Sequence, residues 1–108
     1  MTERLNKHID LLMERYPALA VIKTQIIAAY DAMEKSYENG GKLLLVGNGG
    51  SAADCEHIAG ELMKGFKFRR RLSKAEQDAL TAVDPAMGAE LAGKLQGALP
   101  CLSLVRHT

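Results

Sequence analysis

The sequence predicts an α/β fold in which N-terminal helices precede a parallel-sheet α-β-α sandwich. Apolar residues recur at three- and four-residue spacings before position 41, as in amphipathic helices. A nearly continuous apolar run follows at 42–46, which is typical of a parallel strand buried on both faces. A glycine loop and another helical stretch come directly after it. We therefore expect a helical segment over 1–41 and the first part of the sheet domain over 42–108.

Two helices are predicted before the first strand. The first ends near Pro17, because proline has no N–H to donate and clashes with the preceding turn. The second ends at Asn39-Gly40-Gly41, because glycine adopts the left-handed conformation that closes many helices. The apolar stripes comprise Ile9, Leu12, Met13 and Tyr16, then Leu19, Ile22, Ile26, Tyr30, Met33 and Tyr37. Each stripe faces either a core or a partner subunit.

The helical character returns after the glycine loop. One helix is predicted from about Ala52 to Lys64, and the pattern S-x-x-E at Ser73 predicts a capping box that opens the next. Asp84 followed by proline predicts a further helix that runs to Gly97. The apolar run at 100–105 is the second strand candidate. Strands joined through helices imply a parallel crossover connection.

Composition excludes several classes of protein. The chain has 108 residues, of which 47% are apolar, and its 14 Lys+Arg against 13 Asp+Glu leave a net charge of +1. These values exclude general disorder and give no reason to expect nucleic acid or an anionic membrane as a partner. No apolar run approaches the ~18 residues of a membrane span. Cys55 and Cys101 form no C-x-x-C pair, which favours reduced thiols and a cytoplasmic location.

The glycine loop, Gly47-Asn48-Gly49-Gly50-Ser51, is the strongest candidate binding site. A loop between a strand and a helix start directs backbone N–H groups and the positive helix end at one point, which suits a phosphate. Ser51 either caps the helix or donates its hydroxyl to a ligand, and Asn48 is suited to a left-handed conformation.

Three other interpretations of this loop are a P-loop, a dinucleotide-binding loop and a tight turn. The P-loop pattern is absent, because no Lys-Ser or Lys-Thr pair follows the glycines. The dinucleotide pattern G-x-G-x-x-A matches at Gly47, Gly49 and Ala52, but the required acidic strand end about 20 residues later is missing. A tight turn without any ligand remains the simplest alternative.

His57 and Glu61 are the candidate chemical pair. Because they lie four residues apart, a helix places both side chains on one face. An imidazole and a carboxylate so placed can share a divalent metal or act as an acid and base. The alternative is an ordinary solvent-facing pair, or a histidine in a partly polar core position.

The run from Gly47 to Asp54, continued by His57 and Glu61, resembles the sugar isomerase (SIS) domain family, and in particular its phosphoheptose isomerase branch. That branch carries a G-N-G-G-S loop followed by a helix of the form x-x-x-D-x-x-H-x-x-x-E-L. The resemblance extends from the N-terminal helices to about Gly65. The stretch 66–97 is longer and more helical than in the typical isomerase.

The resemblance implies a function and roles for these residues. The function is binding of a sugar phosphate and isomerisation of sedoheptulose 7-phosphate to a heptose 7-phosphate, in a homo-oligomer that is a tetramer in the family. Glu61 would be the general acid/base and a zinc ligand, and His57 a second zinc ligand. The sugar phosphate would be bound by Asn48, Gly49, Gly50 and Ser51.

The family's second catalytic histidine, its glutamine and its second phosphate loop have no counterpart in the sequence. His8 and His107 do not occupy the required positions. The SIS fold has about five strands, and this sequence offers two candidates. We therefore expect the N-terminal half of such a protein, inactive by itself and prone to self-association.

Two questions stay open on the sequence alone. A non-catalytic SIS domain that senses phosphosugars or binds another protein is the alternative to an isomerase. The basic run formed by Lys64, Lys67 and 69–71 is expected to be a solvated loop, with steering of an anionic substrate next and nucleic-acid binding least favoured.

Overall fold

The computed structural model describes residues 2–65 and 67–105, so Phe66 and His107 lie outside the described residues. The chain divides into two compact units, Met1–Gly41 and Lys42–Thr108. The first contains α1 (Glu3–Arg15), a 3-10 helix (Pro17–Ile22) and α2 (Lys23–Glu38). The second contains β1 (Leu43–Leu45), α3 (Gly50–Met63), α4 (Lys74–Val83), α5 (Pro85–Lys94) and β2 (Cys101–Ser103). The predicted α/β class is confirmed.

The first unit is helical, with one departure from the prediction. The expected second α-helix begins as a 3-10 helix over Pro17–Ile22, and regular α-helix starts only at Lys23. Short 3-10 segments are common at helix N-termini. Glycine ends α2 as predicted: Gly40 has φ 73°, and the amides of Gly40 and Gly41 donate to the carbonyls of Tyr37 and Ser36. This pair of bonds is a Schellman motif.

The second unit is built on a parallel two-stranded sheet. Leu43 pairs with Cys101, and Leu44 with Leu102. α3 packs against β2, and the amide of Leu99 donates to the carbonyl of Leu62 at 2.9 Å. This bond places the C-terminal end of α3 beside the start of β2, so α3 runs antiparallel to both strands. Its N-terminal end therefore lies at the C-terminal edge of the sheet.

The two faces of the sheet differ. Cys101 on the face toward α3 is buried, and so is Cys55 of α3; both thiols are free, as predicted. The opposite face carries four aliphatic side chains whose exposed fractions lie between 44% and 74%: Leu44, Val46, Leu102 and Leu104. The prediction that the first strand is buried on both faces is therefore wrong for the described residues.

A helical hairpin of α4 and α5 lies between α3 and β2 along the chain. Ser73 forms the predicted capping box with Glu76, and Asp84 caps α5 through the amide of Met87 at 2.8 Å. Gly88 lets the helices approach closely, because a Cβ there would lie 2.4 Å from the carbonyl oxygen of Leu80. α5 ends at Lys94, three residues before the predicted end, since Gln96 forms an antiparallel bridge with Arg71.

No helix within the described ranges combines the length and apolar character needed to cross a membrane.

Candidate functional site

The glycine loop links β1 to α3 in the predicted order. Gly47 is packed against the first turn of α3, where an added Cβ would lie 2.7 Å from the carbonyl oxygen of Ser51. Gly49 has φ 57°, in the left-handed region where glycine is favoured. The amides of Ser51 and Ala52 donate to the carbonyls of Asn48 and Gly49 at 3.1 Å each. The loop is therefore tightly closed on itself.

The four predicted binding residues lie together on this loop and are exposed. Two local expectations are corrected. Ser51 does not cap the helix: α3 begins at Gly50, before the predicted start at Ala52, and Gly49 is its N-cap residue. Asn48 is not left-handed, since Gly49 takes that conformation instead. The Ser51 hydroxyl therefore remains available for a ligand.

His57 and Glu61 meet on one face of α3. His57 Nε2 lies 3.6 Å from Glu61 Oε1, and the histidine side chain is 78% exposed against 27% for the glutamate. The second carboxylate oxygen of Glu61, Oε2, is buried and accepts no hydrogen bond. A buried carboxylate oxygen without a partner is costly, so this atom is suited to a metal ion or a ligand proton donor.

The pair fits part of a zinc site. Two atoms bound to one tetrahedral zinc at about 2.1 Å lie about 3.4 Å apart, close to the separation of His57 Nε2 and Glu61 Oε1. Zinc in proteins is normally four-coordinate, however. Within the part of the chain that the structure describes, no group of three or more metal-binding side chains forms. His57 and Glu61 can therefore supply two ligands, and the others would have to come from elsewhere.

The pair lies some distance from the loop along α3. At a rise of 1.5 Å per residue, His57 is about 10 Å and Glu61 about 16 Å beyond Gly50. The side chains lean back toward the helix N-terminus, which shortens both distances. A ligand that contacts the loop and Glu61 together must therefore be elongated along α3.

Comparison with known proteins identifies the family. The model of the SIS domain matches residues 9–93, which is most of the chain. The chain belongs to the SIS domain family. The match includes most of the first unit, the glycine loop and α3, so the resemblance stated from the loop motif is confirmed. It also continues to residue 93, so the expectation that the resemblance ends near Gly65 is wrong.

Relatives of this SIS domain chain are phosphoheptose isomerases. The chain is 64% identical over 36 residues to phosphoheptose isomerase 2 of Campylobacter jejuni, a match covering 33% of the chain and 18% of that protein. It is 37% identical over 89 residues to the phosphoheptose isomerase of Laribacter hongkongensis, covering 77% of the chain and 45% of the relative. The chain thus spans less than half the length of these curated relatives. No solved structure matches it significantly.

The basic run of this SIS domain has a structural role that the sequence did not reveal. Arg69 Nη2 donates to the carbonyl of Gly93 at 2.6 Å, in the last turn of α5. Arg70 donates to the carbonyls of Leu62 and Lys64, at the end of α3. Consecutive arginines therefore cap the C-terminal ends of two helices, where positive charge is favourable. Arg69 is exposed, as a solvated loop predicts, whereas Arg70 is half-buried, so the interpretation of the whole run as a solvated loop is wrong for Arg70.

The position of Arg70 does not favour substrate steering by this residue. Arg70 binds the C-terminal end of α3, whereas the glycine loop lies at its N-terminal end. The 14 residues of α3 separate the two ends by about 20 Å. This exceeds the Debye length of about 8 Å at physiological ionic strength.

Proposed function

We propose that this chain supplies the sugar-phosphate loop and the acid/base carboxylate of an aldose–ketose isomerase of the phosphoheptose isomerase type. The observation that carries the proposal is the placement of Glu61, with a buried unpartnered carboxylate oxygen, on the helix that begins at an exposed glycine loop. The similarity to phosphoheptose isomerases over 77% of the chain supports the same chemistry. The proposed reaction converts sedoheptulose 7-phosphate to a heptose 7-phosphate.

The loop would hold the anionic end of the substrate or its hydroxyl groups. Gly49 and Gly50 present exposed backbone at the positive end of the α3 dipole. Asn48 would donate its amide, and Ser51 its hydroxyl, to oxygen atoms of the same ligand. None of these contacts needs a change in the loop backbone, because the loop is already closed by its own hydrogen bonds.

Glu61 would move the proton. Isomerisation transfers a proton between adjacent carbons through an enediol, so one carboxylate accepts it from the first carbon and returns it to the second. Partial burial of Glu61 limits competition from water, and His57 would orient the carboxylate. A zinc ion held by His57 and Glu61 would act as a Lewis acid that polarises the substrate carbonyl.

The spacing along α3 favours a long substrate. In a seven-carbon sugar 7-phosphate, the phosphate and the reacting carbonyl lie at opposite ends of the molecule. Such an elongated ligand suits a site in which Glu61 lies beyond the loop along α3, whereas a three-carbon sugar phosphate is shorter and would be less able to contact both.

The 108 residues are proposed to be inactive by themselves. The four exposed aliphatic side chains on the outer sheet face would be covered in a complete SIS domain. The missing zinc ligands and second acid/base group would come from further chain or from another copy in a homo-oligomer, proposed to be a tetramer. A cytoplasmic location belongs to the same proposal, and the free thiols of Cys55 and Cys101 support it.

A non-catalytic phosphosugar sensor, or an SIS domain that binds another protein, is the second candidate. The observation that favours it is the incomplete ligand set, since the described residues bring no third metal-binding side chain to His57 and Glu61. Such a protein would bind the sugar phosphate through the same loop without converting it. Turnover therefore distinguishes the two candidates.

Binding can be tested directly on this chain. We expect sedoheptulose 7-phosphate to raise the melting temperature in proportion to the logarithm of its concentration, because it binds only the folded state. Sedoheptulose without the phosphate is the matched ligand control, and Asn48→Ala with Ser51→Ala is the loop variant. Equal stabilisation by the two sugars, or unchanged stabilisation of the loop variant, would contradict phosphate binding by the loop.

Catalysis is tested in an oligomer or longer chain that shows turnover of sedoheptulose 7-phosphate. Glu61→Gln should lower kcat by at least a hundredfold, as expected for loss of a general acid/base, with little change in KM. Glu90→Gln, on the distant α5, is the control and should retain activity. A Glu61→Gln protein that turns over at the original rate would exclude the proposed role.

A further inference from the structure

The Arg70 side chain donates hydrogen bonds to three backbone carbonyls of the second unit. Its Nη2 donates to the carbonyls of Leu62 and of Lys64, the latter at 2.9 Å, and its Nε donates to the carbonyl of Gly97 at 3.2 Å. The three acceptors come from two chain segments, the end of α3 and the segment that leads into β2. The side chain is half-buried at this junction.

We propose that Arg70 is a positioning residue for Glu61. Its guanidinium holds the last turn of α3, the turn in which Glu61 lies, and thereby keeps the carboxylate beside His57. The consequence of this positioning for catalysis rests on the proposed function. The positioning itself concerns only residues of this chain.

The end of α3 needs this support because it has no glycine cap. α2 ends in a Schellman motif with a left-handed Gly40, whereas Lys64 at the end of α3 is extended, with φ −132° and ψ 166°. The last carbonyls of a helix have no partner within it. At α3, the Leu62 carbonyl is instead satisfied by Arg70 and by the amide of Leu99. Without the guanidinium, the Leu62 carbonyl keeps only the bond from Leu99, and the Lys64 carbonyl loses its bond from Arg70.

The position of Glu61 depends on the same turn. Glu61 immediately precedes Leu62, whose carbonyl Arg70 binds, whereas His57 lies one full turn farther inside the helix. Fraying from the C-terminal end would move Glu61 before it moved His57. The 3.6 Å separation between the two side chains is therefore the local quantity most sensitive to Arg70.

The chain offers a matched control in Arg71. It has the same charge and adjoins Arg70, but its guanidinium donates to no acceptor within residues 2–65 and 67–105. Arg71→Met therefore removes a charge without removing a helix cap. Arg70→Lys keeps the charge but replaces a planar fork of donors with a single ammonium group.

The first measurement is amide hydrogen exchange of the whole chain. The reporters are the amide of Lys64, bonded to Gly60, and that of Leu99, bonded to Leu62. Arg70→Met should speed their exchange about tenfold or more, as expected for losing hydrogen bonds from a charged donor. Arg70→Lys should show a smaller increase, and Arg71→Met none. Equal rates in the two methionine variants would overturn the proposal.

The second measurement separates positioning from general stability. The imidazole nitrogen shifts of His57 in the ¹⁵N-labelled chain report the nearby carboxylate, with His57→Gln used for assignment. Arg70→Met should move these shifts toward those of Glu61→Gln, while Arg71→Met leaves them unchanged. Faster exchange with unchanged His57 shifts would show a purely structural role and overturn the proposal.

A failure of the proposed function can be distinguished from a failure of the Arg70 proposal. Neither measurement needs zinc, substrate or turnover, so an absence of sugar-phosphate binding would leave the test of Arg70 intact. If Arg70→Met does not fold, Arg70→Lys carries both measurements, with the same outcomes in smaller degree.

Discussion

Single residues determine the conformation of the glycine loop through close contacts that leave no room for a larger side chain. Gly47 is the clearest case, because its missing side chain makes room for the carbonyl of Ser51 in the first turn of α3. Gly60, on the same helix, has open space where a Cβ would be placed. The two glycines therefore respond oppositely to the same substitution.

Gly47→Ala should destabilise the second unit by about 1–3 kcal/mol, the usual cost of forcing extra atoms into a packed site. The shifted loop should also lose stabilisation by sedoheptulose 7-phosphate. Gly60→Ala is the control and should be neutral or stabilising by up to about 1 kcal/mol, since alanine favours helix over glycine. Urea unfolding of both variants checks the prediction, which a neutral Gly47→Ala would refute.

The sequence predicts the contacts of single residues correctly where the two partners lie close together along the chain. His57 and Glu61 could be placed on one helix face because helix geometry alone determines that spacing. The roles of Arg69 and Arg70 could not be predicted, because their acceptors include carbonyls 24 and 27 residues away. A run of arginines after a helix end was the available signal, and it did not indicate which carbonyls are bound.

At the scale of elements, the α4–α5 hairpin shows how local signals set helix starts. The capping box at Ser73 and the Asp84-Pro85 start were both predicted and are confirmed. The sequence predicts that α5 ends at Gly97, three residues beyond its observed end at Lys94. The helix ends earlier because Gln96 forms an antiparallel bridge with Arg71. The residues that start these helices are adjacent in the sequence, whereas the end of α5 depends on a bridge between residues far apart along the chain.

The capping box makes α4 sensitive to acid. Hydrogen bonds from the backbone amide and hydroxyl of Ser73 lower the pKa of Glu76. A carboxyl whose pKa is lower in the folded state contributes stability above its unfolded pKa, and this contribution is lost as pH falls through the folded pKa. Glu76→Ala should therefore be less stable than the parent chain at neutral pH, with the difference shrinking as pH falls below about 4.

Thermal unfolding over this pH range, with Glu76→Gln as the control, checks the prediction. Glutamine accepts the same hydrogen bonds without a charge, so its difference from the parent should be smaller at neutral pH. A Glu76→Ala deficit that stays constant with pH would exclude the capping carboxylate as its source.

At the scale of the whole molecule, the exposed face of the sheet is the feature that most affects whether the chain self-associates in solution. Leu44 and Leu102 are paired on this face, and Val46 and Leu104 directly follow the two strands; all four aliphatic side chains are exposed. Surfaces of this kind favour association, because burying one such side chain fully is worth roughly 1.5–3 kcal/mol. We expect the chain to self-associate through this face.

Leu44→Thr should reduce self-association while leaving the fold intact, since threonine suits a strand and the position is 54% exposed. Leu45→Thr, one residue along on the inner face, should instead destabilise the second unit. Sedimentation velocity together with circular dichroism separates the two effects. A Leu44→Thr chain that associates as strongly as the parent would argue against this face.

By itself, the sequence determined the order of elements, the SIS glycine loop, the capping box at Ser73, the Asp84 cap and the His57–Glu61 pair. All of these depend on residues within a few positions of one another, where backbone geometry alone sets the arrangement. Tertiary structure decided which strand face is exposed, where α5 ends, and that Arg69 and Arg70 cap the C-terminal ends of α5 and α3. These features depend on hydrogen bonds and packing between segments that are remote along the chain. The local sequence pattern does not specify which remote segments will pair or pack.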